Sequence, residues 1–161
     1  MYLRIENISA KNFIGKSMYA SLSEVTIPQL WASFMPYHRL ITNAVSNDFF
    51  AIQQYDSPTA FHNFTPQTKY THWAAKEVCT VEEIPSGMEE LEILGGTYAV
   101  FLHKGTPSEI SNTMFYIFTK WLPASAYVLD GTREHFQVMG EKYKNNHPDS
   151  EEEVWIPIIK K

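Results

Sequence analysis

Phe136-Gln137-Val138-Met139-Gly140-Glu141-Lys142-Tyr143 and Val154-Trp155-Ile156-Pro157-Ile158 decide the fold, because they complete an arrangement that the first half of the chain has already used. Both stretches are rich in β-branched and aromatic residues and are bounded by polar turns, so both read as strands. They follow a helix that itself follows a strand. The same order of strand, helix, strand, strand runs through the first half, so the chain reads as one unit built twice, over residues 1–80 and 81–161. Such a duplication predicts a groove between the halves, and a concave seam is where a small fold usually holds a ligand.

Moving toward the N-terminus, Ile110, Met114, Phe115, Phe118, Trp121 and Leu122 form one helical stripe. Thr106, Pro107 and Glu109 supply an N-cap, a first-turn proline and an N3 acid, and Pro123 stops the helix. Before it, Thr97 to Leu102 is apolar on both alternating faces, which predicts a strand covered on both sides and places this strand at the floor of a pocket. The acidic segment from Val81 to Glu92 carries the turn Pro85-Ser86-Gly87 and reads as a connection. In the first unit, Leu3 to Ser21 reads as one strand with a bulge. Thr26 and Gln29 have capping-box spacing before the stripe Ile27, Leu30, Trp31, Phe34 and Met35. Phe49 to Ile52 and Trp73 to Cys79 read as the two following strands, separated by a polar loop. With one helix per unit, antiparallel pairing is expected, giving an α+β fold of two pseudo-symmetric units with a curved sheet.

Composition narrows the function. A chain of 161 residues supports one well-buried core and reads as one domain. Its net charge of −5, with 13 Lys and Arg, argues against a binder of phosphate backbones, so nucleic acid is not an expected direct partner. Aromatic residues make up 14%, enough to line a site as well as to fill a core. The single Cys79 excludes an intramolecular disulfide and reads as a buried, inert thiol. No apolar run is long enough to span a bilayer. The N-terminus lacks a secretory pattern, so a reducing cytoplasm is the expected location. The six histidines have no metal-ligand spacing, and no metal or cofactor is expected. Neither a GxSxG elbow, a P-loop nor a GxGxxG is present. Glu151-Glu152-Glu153 reads as a solvated hairpin loop.

Several segments, in this order, resemble the GyrI-like small-molecule-binding family. They are Leu30-Trp31 with Phe34, Ala75-Lys76-Glu77-Val78, Ile84-Pro85-Ser86-Gly87-Met88, Gly95 to Phe101, Trp121-Leu122-Pro123, and Trp155-Ile156-Pro157-Ile158. That family includes effector-binding domains of AraC-type and multidrug-responsive transcription regulators. The resemblance implies a pseudo-twofold pair of units around a central ligand groove, in a standalone form without room for a DNA-binding part. It also implies a glutamate after the aromatic residue of the penultimate strand, associated with cationic aromatic ligands. This chain has Gln137 there, an amide that adds donors and lacks charge.

Glu141, four residues on, and Glu77 in the first unit are the candidate replacement acids. Trp73, Tyr98, Phe115, Trp121 and Met139 are candidate pocket walls, whereas Trp31, Phe34 and Phe118 read as core. The leading expectation is a receptor for a small amphipathic, cationic or neutral aromatic molecule. The alternative, suggested by family members, is a hydrolase of strained electrophilic genotoxins in which Glu141 or Glu77 activates water. Contact with a protein such as gyrase is a third reading that rests on the family name.

Overall fold

In a computed structural model, which describes residues 1–24, 26–57 and 64–161, the chain forms one continuous antiparallel sheet. The strands are β1 (Tyr2–Ile8), β2 (Lys11–Ser21), β3 (Phe49–Gln54), β4 (Lys69–Val78), β5 (Glu89–Ile93), β6 (Gly96–Lys104), β7 (Tyr127–Leu129), β8 (His135–Met139) and β9 (Glu151–Lys160). They lie in the order β1-β6-β9-β8-β3-β4-β2-β5, and β7 adds to β9. Outward from the centre, β8-β9-β6-β1 on one side matches β3-β4-β2-β5 on the other, so the duplicated units meet along the β3–β8 seam.

The expected single first strand is two strands. Ser9 and Ala10 form no bulge; they carry the chain from β1, which pairs with β6, to β2, which pairs with β4 and β5. The acidic connection holds a further strand, β5, whose neighbour is β2 although it leads into β6. Each half therefore lends an edge strand to the other. This exchange forces the sheet to curl. β1 and β2 are six places apart in the sheet, about 29 Å if it were flat, yet the link from Ile8 to Lys11 spans at most about 11 Å.

The curl encloses a core of Phe13, Phe50, Ile52, Trp73, Ala75, Ile93, Tyr98, Val100, Phe136 and Trp155, drawn from both halves. The opposite face carries the helices. Helix α1 (Ile27–Phe34) packs Leu30 and Phe34 on Ile14, Ala74 and Val78 of β2 and β4. Helix α2 (Ile110–Tyr116) continues through a π-helical turn, Ile117–Trp121, into α3 (Leu122–Ala124). Ile117, Phe118 and Trp121 pack with Ala99, Phe101, Val154, Ile156 and Ile158 of β6 and β9.

The two helix starts differ. Glu109 Oε2 accepts the Thr106 N–H at 2.8 Å, as the spacing predicts. Thr26 forms no capping bond, and its hydroxyl is buried without a partner. Its backbone already lies in the helical region, and Pro28 at the second helical position has no N–H for it to meet. Cys79 is exposed, contrary to the buried thiol expected. No helix among the described residues is long and apolar enough to cross a membrane. His62 and the middle of the polar loop before β4 lie outside the described residues.

Candidate functional site

Alternation along β3 marks a stretch of the sheet that lies between the two helices. Phe50 and Ile52 face the enclosed core and are buried, whereas Phe49, Ala51 and Gln53, on the helix side, are half-buried. Helix α1 rests on β2 and β4 and the second helical segment on β6 and β9. The central pair β3–β8 is thus a strip running between two helices.

Three rows of residues cross this strip. In the first, Gln53 lies opposite His135. His135 is buried against Tyr55, with ring centroids 5.0 Å apart, and stacks near Phe118 at 6.3 Å. Burial holds its imidazole down to about 3, so the ring is neutral at working pH. Tyr55 also meets Tyr70 at 5.0 Å, and burial raises both phenols far above their ordinary value. Among the described residues, this end of the strip is aromatic and uncharged.

In the middle row Ala51 faces Gln137. Gln53 Nε2 donates to Gln137 Oε1 at 2.8 Å, and Gln137 Nε2 returns a longer bond to Gln53 Oε1 at 3.4 Å. The amides, one from each unit, satisfy each other across the seam. At 8% exposure, Gln137 forms part of the floor without contributing charge.

The last row runs through Lys76, Phe49, Met139, Glu152 and His103 by the registers of β4, β3, β8, β9 and β6. Glu152 is the residue that the sequence reading missed. It stands within β9 rather than in a loop, on the same face as Val154 and Ile156, which pack against the second helix. Burial raises its carboxyl to about 7, and among the described residues it makes no hydrogen bond or ion pair. It lies diagonally across from Gln137, whose direct partner on β9 is Val154, and such diagonal neighbours are about 7–8 Å apart. Continuing the alternation of Ile158, Ile156 and Val154 two residues upstream would have placed it on this face. Its neighbours take other roles. Glu153 is gripped by Arg4 at 3.0 and 3.2 Å, and Glu151 donates its N–H to Lys142 O at 2.9 Å.

The expected site residues are divided among several surroundings. Gln137 and Met139 lie on the strip. Trp73, Glu77 and Tyr98 belong to the opposite face. Trp73 donates its indole N–H to Gln54 Oε1 at 2.7 Å, and Glu77 pairs with Lys11 at 3.3 Å. Tyr98 is fully buried; it packs on Phe136 and Trp155 and donates to Glu134 O at 2.9 Å. Tyr98 is therefore packed core rather than an open pocket wall, and burial pushes its phenol up to about 12. Phe115 is 65% exposed, and Trp121 meets Phe101 and Tyr2 at ring-centroid distances of 5.0 and 5.2 Å. Glu141 does not share a strand face with Gln137, because β8 ends at Met139 and Glu141 is an exposed turn residue.

Two concavities lie away from the strip. One, of 310 Å³, is on α2 and α3 beside Lys120 and Trp121. The other, of 530 Å³, lies beside Gly96, Asp130 and Arg133. The Arg133 guanidinium there is already engaged by Asp130 at 2.7 Å, Thr97 O at 2.8 Å and Ile158 O at 3.0 Å, and it lies over the Tyr98 ring. These contacts join β6, β9 and the turn before β8, which is structural work.

Comparison with known proteins adds the following. A model of the GyrI-like small molecule binding domain matches residues 1–159. The transcriptional regulator BrlR of Pseudomonas aeruginosa is 26% identical over 163 residues, covering 98% of this chain and 56% of BrlR. The chain thus spans about half the length of that relative. Among solved structures, SAV2435 bound to tetraphenylphosphonium superposes with a TM-score of 0.74 at 12% identity, covering 99% of this chain and 94% of the other. The EcmrR C-terminal domain superposes with a TM-score of 0.74 at 14% identity, over 100% and 99%. At these identities the two structures show a shared fold.

Proposed function

The chain belongs to the GyrI-like small molecule binding domain family, and from that premise we propose that the strip between its helices receives an amphipathic aromatic molecule carrying positive charge. The observation that carries this reading is Glu152, a carboxyl on the helix side of the sheet with no hydrogen bond or ion pair among the described residues, whose charge is felt by the nearby Tyr143 phenol. A desolvated carboxylate gains most from a cation that brings little bound water, which describes a delocalised organic cation better than a metal ion. Half-buried Phe49 and Met139 beside it offer polarizable surface to flat rings. The fold is shared with SAV2435, which has been seen with a lipophilic cation of this kind. The role of the family glutamate thus passes from the Gln137 position to a neighbouring strand.

The test is calorimetric titration with tetraphenylphosphonium at pH 8 and pH 5.5. Binding is expected at pH 8, where Glu152 is ionised, and should weaken on the order of tenfold at pH 5.5. Glu152→Gln should show the weaker affinity at both values. Equal binding of the variant and the parent protein at pH 8 would remove Glu152 from the site.

A further inference from the structure

The row that contains Glu152 has a second charged member at its other end. Lys76 is 7% exposed and stands on β4, the strand that the pseudo-twofold relation matches to β9. Its ammonium lies over the Phe49 ring, 5.1 Å from the centroid. Among the described residues it makes no hydrogen bond or ion pair, yet it is not sealed from solvent. Its charge also reaches His38, whose imidazole is pushed below its ordinary value by burial and then by Lys76. Its stem is buried while the ammonium reaches solvent, so the charge stands at the edge of the strip with no anion beside it among the described residues.

Lys76 and Glu152 are three strand spacings apart, about 14 Å between backbones. Between them lie Phe49 and Met139, half-buried and apolar. The two ends are too far apart to neutralise each other directly, and neither has an ion-pair partner among the described residues. Resting on the reading of the strip as the binding site, we infer that the ligand is zwitterionic: an aromatic body over Phe49 and Met139, a cationic group toward Glu152 and an anionic group toward Lys76.

Two dyes that share one ring system separate this from simple cation binding. Rhodamine 110 carries a free carboxylate and is zwitterionic at pH 8, whereas rhodamine 123 is its methyl ester and purely cationic. By fluorescence anisotropy, rhodamine 110 is expected to bind on the order of tenfold more tightly. Lys76→Met should invert that order, weakening rhodamine 110 and strengthening rhodamine 123 by removing a like charge. Equal affinity for the two dyes, tighter binding of the ester or an unchanged ratio in Lys76→Met would overturn the inference. Tetraphenylphosphonium is titrated in parallel. If it binds while the dyes show no preference, the zwitterion fails and the cation site stands; if neither it nor the dyes bind, the site itself has failed and the inference with it.

Discussion

Glu152 and His135 show what burial does to a single titratable group. Each is shifted toward its neutral form, the acid upward and the imidazole downward. For stability the signs differ. The folded chain holds the Glu152 proton to higher pH than the unfolded chain, so its contribution to stability is complete below about 4.5 and is lost as pH rises through about 7. Glu152→Gln should therefore raise stability at pH 8 on the order of 2 kcal/mol, or about 4–8 °C in Tm for a chain of this size, and change nothing at pH 4. Scanning calorimetry at the two values checks this, and a lowered Tm at pH 8 would mean that the carboxylate has a stabilising partner. For His135 the folded pKa lies below the unfolded one, so stability falls as pH drops from about 6.5 toward 3. His135→Phe should flatten the stability slope between pH 6.5 and 4 in urea titrations. At this scale the family resemblance singled out Gln137 as an amide where a glutamate was expected. It did not show which glutamate of the Glu151–Glu153 run faces the helices, since that depends on where β9 begins.

The elements were read from periodicity where periodicity was enough. Both helical stripes follow from apolar spacing, and the packing of Leu30 and Phe34 on one side and of Met114, Phe118 and Trp121 on the other matches it, whereas Phe115 of the expected stripe is exposed and Ile117, outside it, is buried. The caps separate two sequence patterns that look alike. Thr106 with Glu109 forms its backbone bond, and Thr26 with Gln29 does not, because Thr26 has helical backbone angles and its N–H is already taken by Glu24 O at 2.9 Å. Glu109→Ala is accordingly expected to cost about 1 kcal/mol. Gln29→Ala should be near neutral in the same urea titration. A spacing rule reads residue types, whereas a cap depends on the backbone angles of a single residue.

For the molecule as a whole, what the sequence did not show is which strands become neighbours. β1 and β5 have ordinary strand composition, and nothing in either states that it pairs within the opposite half. The crossing that results can be probed at Gly95. A Cβ there would lie 2.5 Å from Ile8 O, 2.9 Å from the Ser9 carbonyl carbon and 3.0 Å from Ala10 N, so the two inter-unit links touch backbone to backbone. Gly95→Val should cost roughly 2–4 kcal/mol by forcing these links apart, seen as a lower urea midpoint with an unchanged slope. The exchange of edges also bears on vectorial synthesis. The nascent β1 has no partner until β6, some ninety residues later, has left the ribosome, and the β3–β8 seam waits longer still. Pairings so distant in sequence close slowly. The emerging first half therefore presents unpaired apolar strands that are candidates for chaperone binding, and the strip between the helices comes into existence among the last parts of the fold to form.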